Sequence, residues 1–158
     1  MLGLLIGRDV LPSLQKLVLS SNRYLGDQGV AYLAQGLQAS CRTKLNSLRL
    51  SLAGMGDAGL KYLAEAIGSG AFLNCKRIHA SNNFSLRNII PFFNALRSGG
   101  LKNLTFVAFR FNKIVPEALT VLAQSLIEHC SNLISLALPN VAAGPRQVIK
   151  EIRDSCGR

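Results

Sequence analysis

The feature that most limits what this chain can become is that it copies itself. LQKLVLSSN (14–22) returns as LNSLRLSLA (45–53), CKRIHASNN (75–83), LTFVAFRFN (104–112) and LISLALPNV (133–141). Their template is L-x-x-L-x-L-x-x-N, with Leu17, Leu48, Ile78, Val107 and Leu136 at the fourth position. Successive copies lie 31, 30, 29 and 29 residues apart. A period of this size is the mark of a solenoid, in which one supersecondary unit stacks on the next.

Within each copy the hydrophobic period changes. Each motif alternates like a strand. After it come Leu25, Val30, Leu33 and Leu37; Met55, Leu60, Leu63 and Ile67; Phe84, Ile89, Phe92 and Leu96; Ile114, Leu119, Leu122 and Leu126. Steps of three and four predict an amphipathic helix in each unit. Asp27 and Asp57 stand where N-caps belong. Pro116 suits a first helical turn, and Pro91 does if the third helix starts late, near Asn88. One strand–turn–helix unit cannot bury its apolar face alone, but stacked units can. A helix is wider than a strand, so the stack curves. The expected fold is therefore α/β, with about five repeats, parallel strands on the concave face and helices on the convex face.

The five strand motifs, together with LGDQG…YLAQGL and MGDAG…YLAEAI, resemble the leucine-rich repeat family. The likeness is to its long, helical, ribonuclease-inhibitor-like subtype, as in NOD-like receptors, the Ran GTPase activator and tropomodulin. It runs over residues 14–152 and implies a right-handed horseshoe arc that serves as a protein-binding platform. It also implies that the Asn closing each motif (Asn22, Asn83, Asn112) turns inward and bonds backbone in a ladder. Ala53 and Val141 stand in its place in two copies, so the ladder should break there. The third copy departs most, with Cys75 and Ala80 at leucine positions.

One stretch invites a different reading. Gly54, Gly56 and Gly59 spell G-x-G-x-x-G between a strand pattern and a helix pattern, the context a dinucleotide site requires. The repeat explains it instead, because Gly26 aligns with Gly56 and Gly29 with Gly59. A ribose-binding carboxylate about 20 residues on is also missing, since Glu117 is the next acidic residue after Glu65. No cofactor is expected.

The ends suggest a piece of a longer array. Leu2 and Ile6 repeat the spacing of Leu33 and Leu37 ahead of the next strand, so the N-terminus reads as the end of a preceding unit's helix. Val148, Ile149 and Ile152 begin a last helix, and no polar capping unit is evident. Residues 1–158 form a single repeat domain in this reading.

Catalysis has little to work with. His79 and His129 are the only imidazoles, and neither has a nucleophile and carboxylate at a known spacing. Cys41, Cys75, Cys130 and Cys156 form no C-x-x-C pair, so neither a metal site nor a disulfide framework is expected. They read as free thiols of an intracellular, cytoplasmic protein. Cys75 occupies a core position and reads as an inert thiol. No apolar run is long enough to span a membrane. The N-glycosylation sequons at Asn83 and Asn103 would matter only in a secreted protein.

Binding is better supported. Of 158 residues 18 are Lys or Arg and 8 are Asp or Glu, for a net charge of +10. All the acidic residues fall outside the strand motifs, and none occurs in 66–116. Positions 3, 5, 7 and 8 of each motif are expected to face the concavity. They bring Lys16, Arg49, Arg77, His79, Phe106, Arg110 and Phe111 to one face, and these are the candidate partner-binding residues. Arginine beside aromatics is the composition of interface hot spots. The expected function is a non-enzymatic interaction scaffold for a protein with an acidic surface. Binding to a polyanion (nucleic acid or an anionic membrane) and regulation of a partner enzyme such as a small GTPase are the alternatives.

Overall fold

A computed structural model of the chain describes residues 1–40, 44–115 and 132–139, together with 118, 121, 125, 128 and 129. Cys41, Cys130, Cys156, Val141, the fourth-unit positions Pro116, Leu119, Leu122 and Leu126, and the expected last helix at 148–152 lie outside the described residues.

Five short strands, β1 (Lys16–Val18), β2 (Ser47–Arg49), β3 (Arg77–His79), β4 (Phe106–Ala108) and β5 (Ser135–Ala137), form one parallel sheet in sequence order. The sheet is in register on the repeat: Leu17, Leu48, Ile78, Val107 and Leu136 are successive partners. These residues point to the helix side, and the middle three are fully buried. Four helices complete the described elements: α1 (Leu2–Gly7), α2 (Gly26–Ala39), α3 (Asp57–Gly68) and α4 (Ile90–Arg97). Val30, Leu33, Ala34 and Leu37 form the buried stripe of α2, and Leu60, Leu63, Ala64 and Ile67 that of α3. The first position of each later motif is buried too: Leu45, Cys75, Leu104 and Leu133. Pro91 sits in the first turn of α4, the late start its ring favours. α1 packs on α2 as a repeat helix would. Gly3 and Gly36 allow it, because a Cβ on Gly36 would run into the Gly3 carbonyl.

The asparagine ladder forms at Asn83 and Asn112 but, against expectation, not at Asn22. Asn83 is fully buried; its Oδ1 accepts the N–H groups of Ala53 and Met55 at 3.1 Å each, and its Nδ2 donates to Leu50 O at 2.9 Å and Ala80 O at 3.0 Å. Asn112 repeats this one unit on, accepting from Asn83 N at 2.6 Å and donating to Ala80 O at 2.9 Å. Ala53 offers no such side chain to the first unit, and its carbonyl takes the N–H of Gly26 at 3.0 Å. Asn22, in the first motif, is exposed and bonds only its own turn at Leu19 O and Ser20 O.

Three further expectations are corrected. Asp27 and Asp57 do not cap their own helices. Each lies in the first turn and reaches to the next unit. Asp27 Oδ1 accepts from Gly56 N at 2.6 Å and Gly59 N at 2.9 Å, and Asp57 Oδ1 from Arg87 N at 2.7 Å and Asn88 N at 2.8 Å. A carboxylate set against unpaired N–H groups at a helix start is a strong, charge-assisted arrangement. It also accounts for the glycine fingerprint. A Cβ on Gly59 would come 2.6 Å from Asp27 Oδ1, while Gly54 has φ +71° and faces the Arg23 carbonyl. The amides a phosphate would need are engaged by Asp27.

Phe84 is not a core residue. It is 55 % exposed, and Leu86 is buried in its stead. The third residue after the motif Asn turns inward here, as Leu25 does after Asn22.

The alternation of the motif does not reach its eighth position. Ser21, Leu52, Asn82 and Phe111 all have φ between +55° and +66°. This left-handed step ends the extended run and starts the turn. The parallel bonding still reaches it, with Ser21 N donating to Ser51 O and Leu52 N to Ser81 O.

Candidate functional site

In an all-parallel sheet both faces are normally covered. Here α2, α3 and α4 cover one face, and on the other Lys16, Val18, Arg77 and Ser135 are exposed. Strand pleating sends positions 3 and 5 of each motif to that open face. The register arranges them in two rows: Lys16, Ser47, Arg77, Phe106, Ser135, and Val18, Arg49, His79, Ala108, Ala137. Neither row holds a carboxylate.

Arg49, Arg77, His79 and Phe106 are thereby brought together on β2, β3 and β4. Lys16 stands at the end of its row, beside Ser47. Arg110 and Phe111 lie beyond β4, in the turn at the rim, both exposed. The His79 and Phe106 rings stack with centroids 4.6 Å apart, tilted by 32°. That contact leaves Phe106 half-buried, while Phe111 stays 63 % exposed.

The centre of this face is more enclosed than its sequence suggests. Ser47 is 1 % exposed although it sits on the open side. Its neighbours across the sheet are Lys16 and Arg77, and Arg49 follows two residues on along the same strand, so long side chains surround a short one. Four buried side-chain polar atoms among the described residues have no hydrogen-bond partner in the protein, and three are here: Ser47 Oγ, Arg49 Nε and His79 Nε2. The fourth, His129 Nε2, faces Glu128 at 3.5 Å. His79 is held below the usual imidazole range, first by burial and then by the charges of Arg49 and Arg77. Sequence reasoning missed Ser47, because a serine at a face position carries no sign that its neighbours will close over it.

Other groups fall away as reactive centres. Cys75 is buried, its thiol pushed up to about 11 chiefly by desolvation, with weak contacts from Sγ to Arg77 O at 3.5 Å and Asn46 O at 3.8 Å. A thiol kept protonated in this way is a poor nucleophile. Among the described residues no group of His, Cys, Asp and Glu is set to hold a metal ion, and no helix is long and apolar enough to cross a membrane. The sequon asparagine Asn83 is spent inside the ladder, and Asn103 Nδ2 donates to Leu73 O at 2.7 Å.

Comparison with known proteins agrees with this architecture. Residues 10–34 and 42–64 match a family model described as Leucine Rich repeat. No curated protein matches the chain in sequence. Among solved structures, the leiomodin-1 domain titled Actin-Binding Site 2 superposes with a TM-score of 0.76 at 16 % identity, over 97 % of this chain and 86 % of that one. The tropomodulin C-terminal domain of Caenorhabditis elegans gives 0.73 at 13 % identity, over 97 % and 89 %. Repeat period, family model and fold agree: the chain carries leucine-rich repeats and has the fold of the leiomodin and tropomodulin domains.

Proposed function

We propose that this protein is a non-enzymatic interaction module that binds another protein, one with an acidic surface, through the open face of its sheet. The observation that carries the reading is the pair of rows on β1–β5, which gather Lys16, Arg49 and Arg77 with no carboxylate among them. Arg110 and Phe111 extend the face at its rim, and the Phe106 ring packs on that of His79. Positive charge on such a face speeds encounter with an acidic partner and makes binding salt-dependent. The leiomodin domain of the same fold is an actin-binding site by its title, which supports a protein as the partner class and makes actin the first purified candidate.

The test is affinity capture from lysate with and without nuclease treatment, with actin binding assayed alongside. Wild type is compared with a variant carrying Arg49→Glu, Arg77→Glu and Arg110→Glu. A discrete protein retained by wild type and lost by the variant is the expected result. Equal recovery by both forms overturns the face. Binding that disappears from both on nuclease treatment assigns the charge to nucleic acid instead.

A further inference from the structure

The open face holds a more specific feature than its charge. Ser47, Arg49, Arg77 and His79 occupy the corners of a square on two neighbouring strands, with Ser47 opposite Arg77 and Arg49 opposite His79. Paired strands lie about 4.8 Å apart and alternate residues along a strand about 6.6 Å apart, so the four side chains rise from one small patch. Three of them place a buried polar atom there that the protein does not satisfy. Leaving buried polar atoms unpaired costs stability, and native structures rarely do so without a reason. Two positively charged guanidinium groups stand at diagonal corners, and no carboxylate stands among them. Among the described residues the one ion pair within 4 Å is His129 with Glu128, far along the chain.

We propose that this square is an oxyanion-binding site, which receives one carboxylate or phosphate group carried on a side chain of the protein partner. The inference rests on the binding-face reading above and names the anchor point within it. Each corner has a part. The two arginines offer planar, always-charged donor forks suited to carboxylate and phosphate oxygens. The Ser47 hydroxyl donates from the floor. The imidazole of His79 donates from the fourth corner, backed by the ring of Phe106. An anion set among these groups satisfies the orphaned donors and offsets the positive charge that Arg49 and Arg77 bring to the patch.

Imidazole NMR of the full chain reads the site directly, because His79 belongs to it and His129 does not. Inorganic phosphate and acetate are titrated separately at constant ionic strength. The expected result is a saturable shift of the His79 signals with His129 unmoved. The charged groups acting on His79 are Arg49 from β2 and Arg77 from its own strand, and both are positive. A bound anion therefore raises the His79 titration midpoint, by about one pH unit. Ser47→Ala and Arg49→Gln should each weaken anion binding about tenfold. Arg97→Gln on α4 should leave it unchanged. Saturation by acetate identifies a carboxylate as a sufficient anchor; saturation by phosphate alone identifies a phosphorylated side chain. No saturable shift, or the same shift in all the variants, overturns the site. If the shift is absent while charge reversal still abolishes partner capture, this inference fails and the binding face stands. If the shift is present while capture survives charge reversal, the oxyanion site stands and the binding face fails.

Discussion

The middle repeats bury two sets of polar side chains and treat them in opposite ways. Inside the solenoid, Asn83 is fully buried and both ends of its amide are matched, to Ala53 N, Met55 N, Leu50 O and Ala80 O. On the open face a strand's thickness away, Ser47 Oγ, Arg49 Nε and His79 Nε2 are enclosed and unmatched. A buried polar group that finds its partners within the chain holds the fold together. One that finds none is a cost the fold carries, and the natural account of such a cost is a partner from outside. The contrast separates residues that build the scaffold from residues that the scaffold displays.

The largest expected effect is on the inside. Asn83→Ala leaves two buried N–H groups and the Leu50 carbonyl without their partner, while Ala80 O keeps Asn112, and should cost about 3–5 kcal/mol in urea unfolding. Asn112→Ala breaks two cross-unit bonds and should cost about 2–3 kcal/mol. A smaller loss from Asn83 than from Asn112 would break the ranking. Cys75 sharpens the comparison as a buried group kept neutral. Its folded value of about 11 lies above the ordinary 9.0, so the folded state holds the proton more tightly. That contribution is complete below pH 9 and is lost as pH rises towards 11. It amounts to about 3 kcal/mol. Unfolding of Cys75→Ala should lack this alkaline decline, and a parallel decline in both proteins contradicts the burial account. The smallest effect is expected on the open face: Ser47→Ala removes an unmatched hydroxyl and should change stability by less than about 1 kcal/mol, with a gain as the expected sign.

Much of this was legible in the sequence because it depends on period. The central strand residues from Leu17 to Leu136, the stripes of α2 and α3, the late start at Pro91 and the burial of Cys75 all follow from position within a copy. The gap in the asparagine ladder at Ala53 follows from one substitution. What was not legible depends on the neighbouring copy. Asp27 looks like a cap for its own helix, yet its carboxylate is taken by amides 29 and 32 residues on. Phe84 and Leu86 compete for one inward position, and only the path of the turn decides between them. Ser47 is closed in by side chains from the strands on either side. The left-handed step at Ser21, Leu52, Asn82 and Phe111 is invisible because no glycine marks it.

The central claim is that the charged residues of the open face serve a ligand and the leucines behind them serve the fold. Urea unfolding of the Arg49→Glu, Arg77→Glu, Arg110→Glu variant beside Leu48→Ala tests it most directly. Leu48 is fully buried on β2, next in sequence to Arg49 but on the opposite face. The account predicts a loss of about 2–5 kcal/mol for Leu48→Ala and a change within about 1 kcal/mol for the charge-reversed protein. Equal losses in the two would contradict it, and would make the arginines part of the scaffold.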